Sequence, residues 1–140
     1  MHKSVLSKAL FSLATFALAV APGMCDELDW GRDLQKGLDK AKAEKKFVLA
    51  DVYTDWCGPC KMLEKETFKD ANFTKYLNEN FVLIKANAED GGLGQQIAEN
   101  NDVHAYPTGL VFNTSGKMVK RIVGFRSAQE YEKELKKAKK

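Results

Sequence analysis

Two cysteines separated by a Gly-Pro dipeptide are the residues of this sequence best suited to chemistry. Cys57 and Cys60 follow a mostly apolar run, residues 47–53, which predicts a buried strand, and a helix is expected to begin at Cys57. Unpaired backbone N–H groups and the macrodipole at a helix N-terminus favour a thiolate at Cys57. Cys60 should lie a turn deeper on the same face, less accessible but within reach of a disulfide. The spacing therefore predicts a pair that interconverts between dithiol and disulfide.

Half of a zinc site is the alternative interpretation of the same spacing. Such a site needs two further ligands, and His104 is the only histidine outside residues 1–23, which leaves two thiolates and one imidazole. The three cysteines of the whole sequence are too few for a four-thiolate site or for a disulfide scaffold. We therefore expect no metal, and no cofactor other than the redox-active disulfide Cys57–Cys60.

Two carboxylates lie at informative positions relative to the cysteine pair. Asp51 interrupts the apolar strand six residues before Cys57. Burial without a partner would raise the pKa of Asp51, so that it could take or give a proton near neutral pH. A hydrogen bond to loop amides is the purely structural alternative. Glu64 falls on one helical stripe with both cysteines, where an ordinary solvated glutamate is the alternative.

Length and charge restrict the class of protein. The sequence has 140 residues, of which 44% are hydrophobic and 29% charged, as in one globular domain. The formal net charge of +3 falls to +1 without residues 1–23, which contain Lys3 and Lys8 and no acid. A nearly neutral domain is poorly suited to nucleic acid, so we expect no nucleic-acid partner. The 117 residues from 24 to 140 suffice for a stable core without disulfide staples.

The first 23 residues have the pattern of an export signal. A cationic start with Lys3 and Lys8 precedes an apolar run over residues 9–20 and small or turn residues at 21–23. This run is shorter than the about 20 residues that a membrane-spanning helix needs. We expect a signal peptide over residues 1–23, a single domain over 24–140 and export, most simply to the periplasm. Two cleavage sites, after residue 19 or after residue 23, remain open.

Cys25 raises the question of a lipid anchor. A lipoprotein cysteine follows the cleavage site directly, but Met24 is large where that pattern usually has a small residue. A spare thiol near the N-terminus is the expected interpretation, with lipidation as the alternative. Export implies an oxidising compartment, where a thiol pair must be kept reduced or is deliberately oxidised.

Helical and strand patterns alternate along residues 30–138. The predicted order is α-β-α-β-α-β-β-α, with parallel first strands and a closing antiparallel hairpin. The first predicted segments are a helix from Trp30 to near Glu44, a strand over 47–53, and a helix from Cys57 toward Phe68 with a further segment capped by Asp70. They are followed by a strand over 81–84, a short helix after Gly92, strands over 108–112 and 118–123, and a helix opened by a capping box at Ser127.

Two segments together resemble the thioredoxin superfamily. Residues 56–61, Trp-Cys-Gly-Pro-Cys-Lys, resemble the thioredoxin active site, and residues 106–108, Tyr-Pro-Thr, are similar to the cis-proline segment that faces it. The resemblance covers nearly all of residues 30–138. It implies an α/β thioredoxin fold, a central mixed sheet flanked by helices. It also implies supporting roles for Trp56, Gly58 and Pro59, and a substrate groove shaped by Tyr106, a cis Pro107 and Thr108.

A more detailed resemblance is to the C-terminal, periplasmic domain of the DsbD transmembrane reductases. It rests on residues 55–57, 60–61, 64–65, 67–68, 70, 86–87, 107–108 and 124–125. Asp51 matches the buried aspartate of thioredoxins, implicated in proton transfer with the second cysteine. Lys85 matches the lysine beside that aspartate, with an ordinary strand-end lysine as the alternative. Glu64 matches a second active-site carboxylate of the DsbD domain.

These patterns together predict an exported thiol–disulfide oxidoreductase that reduces protein disulfides. The Gly-Pro dipeptide and the DsbD-like surroundings favour a reductase over an oxidase or isomerase. The expected partners are protein disulfide substrates and a membrane thiol electron donor of the DsbD kind, and the protein should act as a monomer. Two alternatives of another class are a periplasmic metal or peptide carrier that uses the thiol pair as ligand, and an interaction protein with a vestigial site.

Overall fold

The computed structural model of the protein describes residues 27–140. The predicted signal peptide, its cleavage site, the domain boundary at residue 23 and Cys25 lie outside these described residues. The strands are β1 Trp30–Gly31, β2 Phe47–Tyr53, β3 Phe81–Asn87, β4 Thr108–Phe112 and β5 Met118–Val123. The helices are α1 Leu34–Glu44, α2 Gly58–Lys65, α3 Ala71–Asn80, α4 Leu93–Asn100 and α5 Ala128–Ala138, with a 3₁₀ turn at Thr67–Lys69. Within residues 27–140 no helix is long and apolar enough to span a membrane.

A five-stranded mixed sheet in the order β1-β3-β2-β4-β5 forms the centre of the fold. β2 and β3 are parallel, as expected for strands joined by a crossover, and β4 and β5 form the predicted antiparallel hairpin. In this register Asp51 on β2 pairs with Lys85 on β3 and with Gly109 on β4. The predicted fold class, a mixed sheet flanked by helices, is confirmed.

The two faces of the sheet bury separate apolar clusters, because successive strand side chains point to opposite faces. Val48, Ala50 and Val52 pack in a cluster that includes Ala41 of α1 and Ile97 of α4. On the other face, Leu49 packs in a cluster with residues of α2, α3 and α5, namely Leu63, Phe73, Leu77, Tyr131 and Leu135. By the same alternation, Asp51 points into this second face, beneath α2.

The predicted start of the first helix is wrong. Trp30 lies in the short strand β1, paired in parallel with Leu83, and α1 begins only at Leu34. The Asp33 carboxylate caps that helix by accepting a hydrogen bond from the Lys36 N–H at 3.1 Å. The Trp30 ring instead packs edge-to-face on Phe68, with ring centroids 5.1 Å apart. Trp30 and Leu34 are four residues apart, which fits a single helix. The spacing gives no sign that Asp33, between them, is the N-cap at which the helix begins.

The helix after the cysteines is also shorter than predicted. α2 ends at Lys65, and Phe68 lies in the following 3₁₀ turn. The Thr67 hydroxyl donates a hydrogen bond to the Arg126 carbonyl at 2.5 Å, which ties this turn to the segment before α5. The caps predicted at Asp70 and Ser127 are both confirmed, the second as a complete capping box.

Candidate active site

Cys57 and Cys60 form a disulfide at the N-terminus of α2, with Cα atoms 5.3 Å apart. Cys57 is the N-cap residue, one position before the helix, and Pro59 lies in the first turn, where a missing N–H costs no helical hydrogen bond. The Cys57 Sγ atom accepts a hydrogen bond from the Cys60 backbone N–H at 3.2 Å. In the reduced protein the same donor would favour a thiolate at Cys57.

Exposure does not distinguish the two cysteines. Cys57 is 3% exposed and Cys60 5%, so the expectation that Cys60 is the less accessible of the two is wrong for the disulfide form. What differs is their position on α2, because only Cys57 occupies the N-cap. In the disulfide form, position relative to α2 rather than exposure is therefore what distinguishes the two cysteines.

Trp56 joins the cysteine loop to the proline segment. Its side chain is 67% exposed, yet its indole N–H donates a hydrogen bond to Glu89 Oε2 at 3.0 Å. The Trp56 and Tyr106 rings meet edge-to-face, with centroids 6.1 Å apart. The two segments that sequence similarity identified therefore lie side by side.

The Tyr106–Pro107 peptide bond is cis. The Pro107 carbonyl accepts a hydrogen bond from the Gly124 N–H at 2.8 Å, and the Thr108 hydroxyl donates one to the Ala105 carbonyl at 2.7 Å. These two bonds hold residues 107–108 against Gly124 and Ala105. Pro107 therefore has no backbone N–H group to donate, and its carbonyl is already bonded.

A buried ion pair lies beneath α2. Asp51 is 1% exposed, and its Oδ2 atom is 2.6 Å from Lys85 Nζ. The same Nζ atom is 3.0 Å from Glu64 Oε1, whose side chain is 57% exposed. Lys85 thus connects a buried carboxylate to one that reaches solvent. Lys85 contacts both carboxylates, one buried and one largely exposed.

Three aromatic rings surround the Lys85 ammonium group. Its Nζ atom lies 4.8 Å from the ring centroid of Tyr53, 5.0 Å from that of Trp30 and 5.4 Å from that of Phe68. Ring faces attract cations, so these contacts help to keep a charged lysine in a mostly buried position. None of these three aromatic residues was predicted from the sequence to lie beside Lys85. Their spacing carries no signal, since they come from β1, β2 and the 3₁₀ turn.

The surroundings shift the pKa values of the buried pair. Burial raises the pKa of Asp51, the attraction and hydrogen bond of Lys85 oppose this rise, and the negative charge of Glu64 adds to it. Burial alone would lower the pKa of Lys85, but Asp51 and Glu64 outweigh that effect and raise it. Asp51 therefore holds a proton to higher pH than an ordinary aspartate, while Lys85 stays charged.

A small cavity of about 90 Å³ lies between Cys60 and the side chains of Lys85 and Glu64. The residues that line it include Cys60, Glu64, Lys85 and Tyr53. A space of this size and polarity can hold ordered water, which carries protons between groups that do not touch. Among residues 27–140, no three His, Cys, Asp or Glu side chains are grouped as a metal site requires.

The fold and the cysteine pair define a class of redox protein. The sequence profile of the thioredoxin-like domain matches residues 34–139, and the chain belongs to this family. It is a thiol–disulfide oxidoreductase of the thioredoxin kind, with its disulfide at Cys57–Cys60.

The relatives are redox proteins from several lineages. Over 93 residues the chain is 36% identical to the thiol:disulfide interchange protein DsbD of Photorhabdus laumondii, which covers 64% of this chain and 16% of that protein. Over 99 residues it is 33% identical to protein disulfide-isomerase of Triticum aestivum, covering 71% of this chain and 19% of that protein. The chain thus spans about a sixth of the length of the curated relatives it matches.

A solved structure of similar length also matches. The solution structure of a candidate disulphide-isomerase from Bacteroides thetaiotaomicron is 37% identical, with a TM-score of 0.71. The match covers 84% of this chain and 98% of that one. The resemblance to the thioredoxin superfamily and to DsbD predicted from the sequence is confirmed.

Proposed function

We propose that the protein is an exported reductase of protein disulfides. The Cys57 thiolate attacks one sulfur of a substrate disulfide, so that a Cys57–substrate disulfide forms, the substrate S–S bond breaks and the leaving sulfur takes up a proton. The observation that carries this proposal is a cysteine pair at the N-terminus of α2, with the buried Asp51–Lys85 pair beneath that helix.

Release of the substrate requires the second cysteine. Cys60 loses its proton to Asp51 and attacks Cys57 Sγ, which forms the Cys57–Cys60 disulfide and expels the second substrate sulfur as a thiolate. Two electrons pass from the dithiol to the substrate. The proton then leaves by way of the small cavity beside Lys85 and Glu64, since Glu64 is the member of this group that reaches solvent.

The proposed substrate groove runs along the surface formed by Trp56 and the proline segment. Trp56 offers an exposed aromatic surface, while Pro107 and Thr108 are held by bonds to neighbouring backbone. An extended peptide carrying the disulfide would pair with the backbone of Tyr106. This arrangement favours unfolded or flexible protein segments over small-molecule disulfides.

The reductase direction and the location rest on similarity and on the sequence. The Gly58-Pro59 dipeptide and the similarity to DsbD favour reduction, and the pattern of residues 1–23 favours export to the periplasm as a domain over 24–140. Electrons would come from a membrane thiol donor of the DsbD kind, because the pair must be reduced again after each turnover in an oxidising compartment.

The reduction potential of Cys57–Cys60 tests the direction. We expect a value nearer to that of thioredoxin, about −270 mV, than to that of the oxidase DsbA, about −120 mV. Equilibration of the protein with glutathione buffers, followed by separation of the reduced and oxidised forms, measures it. The variant Cys60→Ser, which lacks the couple, is the control. A potential near the DsbA value would favour the oxidase alternative instead.

Alkylation tests the assignment of the nucleophile. In the reduced protein at mildly acidic pH, Cys57 should react at least about tenfold faster than Cys60, because only Cys57 occupies the N-cap. The two residues are similarly buried, so access alone would give similar rates. Mass mapping after brief alkylation measures both rates, and the difference should vanish in denaturant. Equal labelling of the folded protein would contradict the assignment.

A further inference from the structure

Tyr131 carries a buried hydroxyl group that makes no hydrogen bond within residues 27–140 of the disulfide form. The residue belongs to α5, and its ring lies in an aromatic cluster, 5.6 Å from the Phe73 centroid and 6.0 Å from that of Phe68. Phenylalanine would fill this apolar position equally well. A buried tyrosine hydroxyl normally has a partner, so the extra oxygen calls for a function.

The buried carboxylate of Asp51 also has an oxygen atom that makes no hydrogen bond in the described part of the chain. Lys85 bonds only to Oδ2, and Oδ1 is buried with no hydrogen-bond partner in the described part of the chain. An ionised carboxylate accepts several hydrogen bonds, and its charge is costly to bury without them. A hydrogen-bond donor near Oδ1 would satisfy this second carboxylate oxygen.

The register of the sheet brings these two groups together. Asp51 on β2 pairs directly with Gly109 on β4, and paired residues of an antiparallel ladder project on the same face with Cβ positions about 4.5–5.5 Å apart. A Cβ atom built on Gly109 would overlap the Tyr131 hydroxyl. The hydroxyl therefore occupies the place of a missing side chain immediately beside Asp51, and any larger residue at 109 would displace it.

We propose that Tyr131 is a positioning residue for Asp51, whose hydroxyl donates a hydrogen bond to Oδ1 when the carboxylate is ionised. This inference rests on the proposed role of Asp51 as the proton acceptor for Cys60. The groups that face Asp51 would then be Lys85 from β3, Glu64 from α2 and Tyr131 from α5. In this arrangement Tyr131 would stabilise the ionised form of Asp51. Lys85 also stabilises that form, and Glu64 opposes it.

The hydroxyl is suited to be the donor in this contact. Burial raises the pKa of Tyr131 well above its ordinary value, and the negative charge of Asp51 adds to that effect against a weaker, opposite influence of Arg126. Tyr131 therefore keeps its proton throughout the pH range in which Asp51 titrates. It can donate a hydrogen bond to the carboxylate but cannot act as a base.

The variant Tyr131→Phe tests the inference, since it removes the hydroxyl and keeps the ring packed. Loss of a donor to the ionised form should move the titration of Asp51 in the reduced protein to higher pH, as followed by NMR of its carboxyl carbon. Release of a model substrate from its mixed disulfide with Cys57 should slow by about three- to tenfold at mildly acidic pH. The difference should disappear at alkaline pH, where Asp51 is ionised in both proteins.

Two further variants test whether the shift in the Asp51 titration is specific to the Tyr131 hydroxyl. Tyr76→Phe removes another buried hydroxyl that makes no hydrogen bond within residues 27–140. The charge that affects the pKa of Tyr76 is that of Glu132 rather than Asp51, so this variant should leave the Asp51 titration unchanged. Gly109→Ala displaces the Tyr131 hydroxyl without removing it and should reproduce the shift. Thermal melting verifies that each variant is folded.

Two outcomes separate this inference from the proposed function. An unchanged Asp51 titration in Tyr131→Phe overturns the inference, even where Asp51→Asn still slows release. If Asp51→Asn leaves release unaffected, the proposed role of Asp51 as proton acceptor for Cys60 is contradicted, whatever the titration of Tyr131→Phe shows. In the Asp51→Asn background, Tyr131→Phe should have no further effect on release, because the hydroxyl acts only through that carboxylate.

Discussion

Replacement of Cys60 by serine should turn the protein into a covalent trap for its substrates. Every proposed turnover passes through a disulfide between Cys57 and a partner sulfur, and Cys60 is the thiol that lies next to Cys57 on α2. Serine changes little volume but cannot attack the mixed disulfide. Adducts that are barely detectable with the unaltered protein should therefore become a major fraction of the variant.

Non-reducing electrophoresis of tagged Cys60→Ser protein, made in cells at its normal level, measures this accumulation. Cys57→Ser is the matched control. It retains Cys60, which is just as buried but has no N-cap position to stabilise its thiolate, and it should form few adducts. Identification of the partners after reduction would reveal substrates and the electron donor.

The same pair of variants separates an enzyme from a carrier. In a metal or peptide carrier that uses both thiols as ligands, either substitution would weaken binding and neither would leave covalent partners. Failure of reducible adducts to appear with Cys60→Ser would remove the main support for the exchange mechanism. A vestigial site would give the same negative result, together with no measurable reduction potential.

Asp51→Asn should slow the release step by about a hundredfold at neutral pH while leaving the initial attack by Cys57 nearly unchanged. General-base assistance contributes rate factors of about this size, and an amide cannot accept the Cys60 proton. Asparagine keeps the shape of the side chain, and Lys85 retains its contact with Glu64 at 3.0 Å. Rapid mixing with a model disulfide resolves the two steps.

The pH dependence of release supplies an independent check on Asp51. Because burial raises the pKa of Asp51, the unaltered protein should lose release activity as the pH falls through that raised value and the carboxylate becomes protonated. Asp51→Asn should lack this loss. Glu64→Gln should move it to lower pH, because the negative charge of Glu64 helps to raise the pKa of Asp51. Equal release rates for Asp51→Asn and the unaltered protein at neutral pH would contradict the assignment.

Local sequence patterns determined much of the fold and the centre of the site. The β2 run around Asp51, the hairpin strands β4 and β5, and the caps at Asp70 and Ser127 all have the predicted positions. Each shows in a pattern of a few neighbouring residues, such as a short apolar run or a side chain that satisfies a nearby N–H group. The cysteine spacing is equally local, because one helical turn brings both sulfurs together.

The tertiary structure alone decided what surrounds the cysteine pair. The local pattern assigned Trp30 to a helix, whereas its pairing with β3 makes it a strand residue whose ring lies beside Lys85. The proximity of Asp51 and Lys85 was expected only by resemblance to known proteins, and the contact of Lys85 with Glu64 was not predicted. No spacing in the sequence indicates that Tyr131 lies beside Asp51. That proximity depends on the register between β2 and β4 and on the packing of α5 over Gly109, and a register shift of one residue would turn Asp51 to the opposite face of the sheet.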